Sequence, residues 1–143
     1  MRNINASFHR IFAILVVLGL TLGVQADDPP PAADAASSTS PEKVVSSLID
    51  AMAAQEAEKI RALFSEDASQ AYGEGRAKAG QAFFRWLESD IIRRDGRVEG
   101  AEINADGREV VVTGTYRSRG YSSVANFLFT VDDGKITSWR MRY

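Results

Sequence analysis

Apolar residues recur at helical spacing after Pro41 and at a spacing of two from about Arg97 onward. Val44, Val45, Leu48, Ile49, Met52 and Ala53 share one helical face, as a helix packed on a core requires. Ser40-Pro41-Glu42 opens that run with an N-cap serine, a proline at the first helical position and an acid in the first turn. After Gln55 the pattern resumes with Ile60, Leu63 and Phe64, which predicts a second, short helix closed by Ser65-Glu66-Asp67. Ala68–Tyr72 reads as a short strand and Gly73-Glu74-Gly75 as a loop. A third helix is expected from about Ala77 to Ser89, with Ala79, Ala82, Phe83, Trp86 and Leu87 on one face.

The period then shortens to two. Arg97–Asn104, Glu109–Ser118, Ser122–Val131 and Lys135–Tyr143 alternate apolar and polar positions. They are separated by Ala105-Asp106-Gly107, Arg119-Gly120 and Asp132-Asp133-Gly134, which are hairpin signals. Helices first and a meander after them predict an α+β domain, with three N-terminal helices packed on a curved antiparallel sheet. Parity assigns the faces. Phe127, Phe129, Trp139 and Met141 turn toward the helices, whereas Arg117, Arg119, Arg140 and Arg142 fall on the outer face. Gly114, inside a β-branched strand, marks a bulge or bend where the sheet curls.

Composition divides the 143 residues further. Residues 1–26 read as a signal peptide: Arg2, His9 and Arg10 precede an apolar run of 13 residues, Ile11–Gly23, and Val24-Gln25-Ala26 forms a cleavage site. The run is shorter than the roughly 20 residues of a membrane span. With no cysteine for a lipid anchor, the mature chain is expected free in the periplasm or secreted, without a stable membrane anchor. Residues 27–40, rich in Pro, Ala, Ser and Asp, read as a flexible linker. Every proline lies in residues 29–41, which places the domain boundary at Ser40/Pro41 and the domain at 41–143. That domain carries 15 basic and 16 acidic residues, so it has no basic field with which to recruit nucleic acid.

His9 is the one histidine and there is no cysteine. The mature chain therefore excludes disulfides, Cys/His metal sites, cysteine nucleophiles and a Ser-His-Asp relay. Gly73-Glu74-Gly75 lacks the Lys-Ser/Thr sequel of a phosphate loop. Asp132-Asp133-Gly134 lacks the remaining ligands of a calcium loop. Neither a cofactor nor a metal is expected.

Asp50-Ala51-Met52-Ala53-Ala54-Gln55, Ile60-Arg61-Ala62-Leu63-Phe64-Ser65-Glu66-Asp67-Ala68, Phe83-Phe84, and Phe127-Leu128-Phe129 with Asp133-Gly134-Lys135-Ile136 together resemble the nuclear transport factor 2-like superfamily, including its SnoaL-like and ketosteroid-isomerase-like members. The resemblance covers residues 42–143 and rests on packing and turn motifs. It implies a cone-shaped, cystatin-like α+β barrel with a pocket between helices and concave sheet, and dimers formed through the outer sheet face. In the isomerases of this superfamily a carboxylate base follows the second helix, and a Tyr and a protonated Asp form the oxyanion hole. The matching positions here are Tyr72, Leu48 and Ala125, so the isomerase set is replaced.

Within that frame Tyr72 falls at the pocket mouth, either as a phenol reaching a ligand or as a lid packed on Trp86 or Trp139. Tyr116 falls on the concave face with the same two readings. Trp86, Phe127, Phe129 and Trp139 form either an aromatic ligand pocket or plain core. Asp50, Glu66 and Asp67 are the carboxylates nearest the helical faces, with Asp67 expected to close the turn after helix two. The outer arginines, either a site for an acidic partner or a solvated face, are expected to pair with Glu102 and Glu109, each pair contributing little. These residues favour an exported, non-catalytic domain that binds a small apolar ligand or dimerises. The alternatives are a SnoaL-like isomerase, cyclase or hydratase using Tyr72 and a helix carboxylate, and a structural dimer module of the cell envelope.

Overall fold

A computed structural model describes residues 39–143. The leader and most of the linker lie outside the described residues. Helix α1 spans Pro41–Ala53 and α2 spans Ala57–Ala62. Strand β1 (Phe64–Tyr72) and the two-residue β2 (Lys78–Ala79) follow. Helix α3 (Gln81–Trp86) continues into a π-helical stretch, Leu87–Ile92. The meander is β3 (Arg97–Asp106), β4 (Glu109–Ser118), β5 (Tyr121–Asp132) and β6 (Lys135–Met141).

The start of α1 has a local cause: the Ser40 side chain accepts from the Lys43 amide at 3.3 Å and Pro41 needs no partner for a missing N–H. Its buried face holds Val44, Val45, Leu48, Ile49, Ala51 and Met52.

The six strands form one sheet in the order β2-β1-β6-β5-β4-β3. The meander pairs are antiparallel, but β1 lies parallel to β6, so the sheet is mixed and curves without closing. The parallel pair joins the two ends of the domain, a contact that local periodicity does not encode. Two element boundaries differ from the pattern reading. Phe64 to Asp67 belong to β1, not to the end of α2, and Lys78-Ala79 pair with Gln70 and Ser69 instead of opening α3. Asp67 therefore closes no helix; it accepts a 2.9 Å bond from Ser65 Oγ.

Gly114 does mark a bulge. The β3–β4 register slips between Glu99 and Glu102, so Gly100 and Ala101 face Gly114 alone. Gly114 has φ +150°, and a Cβ on it would lie 2.8 Å from the Glu99 carbonyl oxygen. Only glycine lets the strands approach there.

Trp139 is the hub of the core. It is fully buried, stacks on Phe64 at 6.1 Å, and meets Trp86, Phe127 and Phe129 at 5.2, 5.4 and 5.0 Å between ring centres. Phe83 fills the space between Phe64 and Trp86.

Candidate functional site

The inner face of the sheet changes character along its strands. On β5 the inward positions run Val131, Phe129, Phe127, Ala125, Ser123, Tyr121; on β4 they run Val110, Val112, Gly114, Tyr116, Ser118. One end of each series is apolar and sealed, the other carries hydroxyls. The cone is filled at the Phe129–Trp139 end and hollow at the other.

The hollow is a cavity of about 630 Å³. Its apolar wall is Phe127, Met141, Val124 and the tyrosine rings, and its polar groups are the hydroxyls, Asp90, Arg94, Asn126 and Arg142. All four tyrosines of the chain, Tyr72, Tyr116, Tyr121 and Tyr143, line it. The structure thus brings Tyr72, Tyr116 and Phe127 together at the wall. It places Phe129 and Trp139 behind them in the core, and Trp86 reaches the site through its nitrogen, which donates to Tyr72 Oη at 3.0 Å. Tyr72 is therefore both an aromatic packed at the mouth and a phenol on the cavity wall. Lys78 Nζ lies 5.1 Å from its ring centre, a cation–π contact that holds the ring.

Tyr116 is the deep phenol. Its hydroxyl donates to the Asp90 carbonyl at 3.4 Å. Burial pushes its ionisation above the usual phenol range, against a lowering by the Ser118 hydroxyl. It is a neutral phenol at physiological pH.

Asp90 was not among the expected carboxylates. Asp50, Glu66 and Asp67 are exposed and none lines the cavity. Asp90 does, from the π-helical stretch, where Arg93 N bonds Glu88 O at 3.0 Å and the wider turn carries both Asp90 and Arg94 to the wall. Inserted π turns of this kind recur at functional sites. The signal in the sequence was Asp90's place four residues after Trp86. Tyr121 and Tyr143 share the parity of Phe127 and Trp139 but fall at a turn and at the last residue. Leu48 and Ala125 are fully buried core residues.

The outer-face arginines have other partners than expected. Arg117 pairs with Glu99 at 2.6 Å and Arg119 with Asp95 at 2.6 Å. Arg140 donates to the Gly73 carbonyl; Arg142, expected on the outer face, instead reaches the cavity rim, where it donates twice to Asn126 Oδ1. Glu66, Phe84, Arg85 and Glu88 border a separate, shallow surface groove. Among the described residues no cluster of His, Cys, Asp or Glu is arranged to hold a metal, and no helix is long and apolar enough to cross a membrane.

The SnoaL-like domain model matches residues 45–139, and the chain belongs to that family. No curated protein gives a significant match. Among solved structures, an NTF2-like protein of unknown function from Cytophaga hutchinsonii superposes with a TM-score of 0.63 at 16% identity, covering 73% of this chain and 89% of that one. A candidate polyketide cyclase from Pseudomonas putida gives 0.61 at 22%, covering 74% and 92%. The epoxide hydrolase/cyclase-like enzyme SalBIII, which has a role in pyran ring formation in the polyether salinomycin, gives 0.61 at 19%, covering 71% and 88%. At these identities the likeness is one of fold: helices on a curved α+β sheet, as the sequence resemblance implied.

Proposed function

We propose that this domain binds a small, largely apolar molecule in the hollow end of its cone. The observation that carries the reading is the cavity itself, about 630 Å³ with aromatic walls and hydroxyls at its mouth. Its size and lining are those of small-molecule sites, typically about 300–1,000 Å³. The neutral dye N-phenyl-1-naphthylamine tests it. A saturable, one-to-one rise in emission is expected. Ser123→Trp, which fills the space across β4–β5 from Tyr116, is expected to weaken binding at least about tenfold. Absence of saturable binding, or binding indifferent to that substitution, defeats the reading.

Asp90 favours a second reading: an isomerase, cyclase or hydratase in which Tyr72 and this helix carboxylate act on the bound molecule. A carboxylate and phenols around one cavity are the groups general acid–base catalysis needs. The structural neighbours include cyclase-like proteins. Exchange of the methyl protons of 2-acetylnaphthalene in heavy water, faster with the protein and lost in Asp90→Asn while binding persists, is the expected result. Exchange no faster than in buffer defeats it.

Export belongs to the same proposal. Mass spectrometry of the exported chain is expected to show Asp27 as the first residue; Met1 retained overturns it. Association through the outer sheet face, where the cross-strand pair Val111 and Leu128 is half-buried and Val124 further along β5 is exposed, predicts a dimer mass in light scattering, and a monomer at high concentration rejects it.

A further inference from the structure

One phenol on the cavity wall has its hydrogen-bonding sense fixed by the fold. Trp86 Nε1 lies 3.0 Å from Tyr72 Oη. An indole nitrogen only donates, so the phenol oxygen accepts and its own hydrogen must point elsewhere. Among the described residues Tyr72 Oη makes no second hydrogen bond. Trp86 has little freedom to change this. It is 4% exposed, with Phe83 at 5.8 Å and Trp139 edge-on at 5.2 Å. Tyr72, by contrast, is 42% exposed and stands at the cavity mouth. The other well-placed phenol, Tyr116, already donates to the Asp90 carbonyl.

We infer that Tyr72 is the specificity-determining hydrogen-bond donor of this cavity, held in that role by Trp86, and that the cavity selects apolar molecules carrying a hydrogen-bond acceptor such as a carbonyl oxygen. The inference rests on the ligand-binding reading above. Donation from Trp86 also polarises the Tyr72 hydroxyl, so the two bonds reinforce each other. The Tyr72 hydrogen therefore favours a ligand that accepts, and a carbonyl oxygen is the plainest such group. Trp86 is a positioning residue: it touches Tyr72 and leaves the ligand to it.

The test uses the full chain and a matched pair of probes. 2-Acetylnaphthalene carries the carbonyl; 2-isopropenylnaphthalene has the same outline with CH2 in place of oxygen. Comparing the affinity ratio between proteins removes their difference in water solubility. In Tyr72→Phe the preference for the acetyl compound is expected to fall about tenfold from wild type, with the isopropenyl compound bound as before. In Trp86→Phe it is expected to fall by less, because the phenol remains but is no longer oriented. The Trp86 indole N–H resonance is expected to move on adding the acetyl compound and not the isopropenyl one. If both probes bind and the ratio is the same in wild type and Tyr72→Phe, this inference is overturned while the ligand-binding reading stands. If neither probe binds wild type, both fall.

Discussion

Gly96 sits directly against the phenol of Tyr116: a Cβ built on Gly96 would overlap Tyr116 Oη. The glycine after the third helix is thus what lets the deep phenol reach the Asp90 carbonyl. Gly96→Ala is expected to drive Tyr116 out of place at a cost of about 1–3 kcal/mol, the range for overpacking a filled site. Urea unfolding measures it, and an unchanged midpoint would show that the ring moves aside freely.

The buried Tyr116 also predicts a pH dependence. Its folded ionisation lies above the ordinary value of 10.0. The contribution of the neutral phenol is therefore complete below pH 10 and is lost as the pH rises from there through the folded value. Stability is expected to decline in that alkaline window, and Tyr116→Phe should lessen the decline. Denaturation series at several pH values in both proteins decide it; identical alkaline slopes would count against the burial.

The two tryptophan nitrogens are satisfied differently. Trp139 Nε1 is buried with no hydrogen-bond partner, while Trp86 Nε1 is bonded to Tyr72. An unsatisfied buried donor costs about 1–3 kcal/mol, so Trp139→Phe removes a penalty along with some packing. Trp139→Phe is expected to destabilise less than a full loss of the ring, Trp139→Ala, which should cost about 3–5 kcal/mol. Thermal unfolding of the pair tests it. Equal losses would reject the expectation.

At Gly114, a side chain meets two carbonyl oxygens of the β3 bulge and a backbone angle suited to glycine. Gly114→Ala is expected to cost at least about 1 kcal/mol from backbone strain alone. Gly107→Ala, at φ +64° in a turn where a Cβ has open space, carries backbone strain without the clash and serves as the comparison. A smaller loss at Gly114 than at Gly107 would reject the assignment of the bulge.

The order of the elements was legible because hairpin turns and a change of period are local signals. Asp133-Gly134 joins β5 to β6 as a two-residue turn, with Asp132 facing Lys135. The inward face, from Phe127 to Trp139, followed from parity alone. Beyond that, the sequence pattern failed where partners are distant. Ser65-Glu66-Asp67 reads as the end of a helix, yet it lies in β1, where Phe64 before it and Ser69 after it pair with Ile136 and Ser138 of β6, some 70 residues away. Lys78-Ala79 reads as helix by propensity and is strand because Ser69 and Gln70 face it. Of the site, Tyr116 and Phe127 were visible by alternation, and Tyr72 through the family resemblance. Asp90 was not, because the helical pattern reads only to about Ser89, and Asp90 lies in the π-helical stretch that continues past it.

Among the described residues, the sheet that opens to form the cavity also ends in a bare edge at β3, ten residues long. An uncovered strand invites a second chain to add to it, and repetition of that step builds fibres. Here the invitation is withdrawn locally. Arg97, Glu99 and Glu102 place charge along the edge, and the slip at Gly100-Ala101 breaks its straight run of hydrogen-bonding groups. The same irregularity that bends the sheet around its hollow therefore also helps keep neighbouring molecules from polymerising along it.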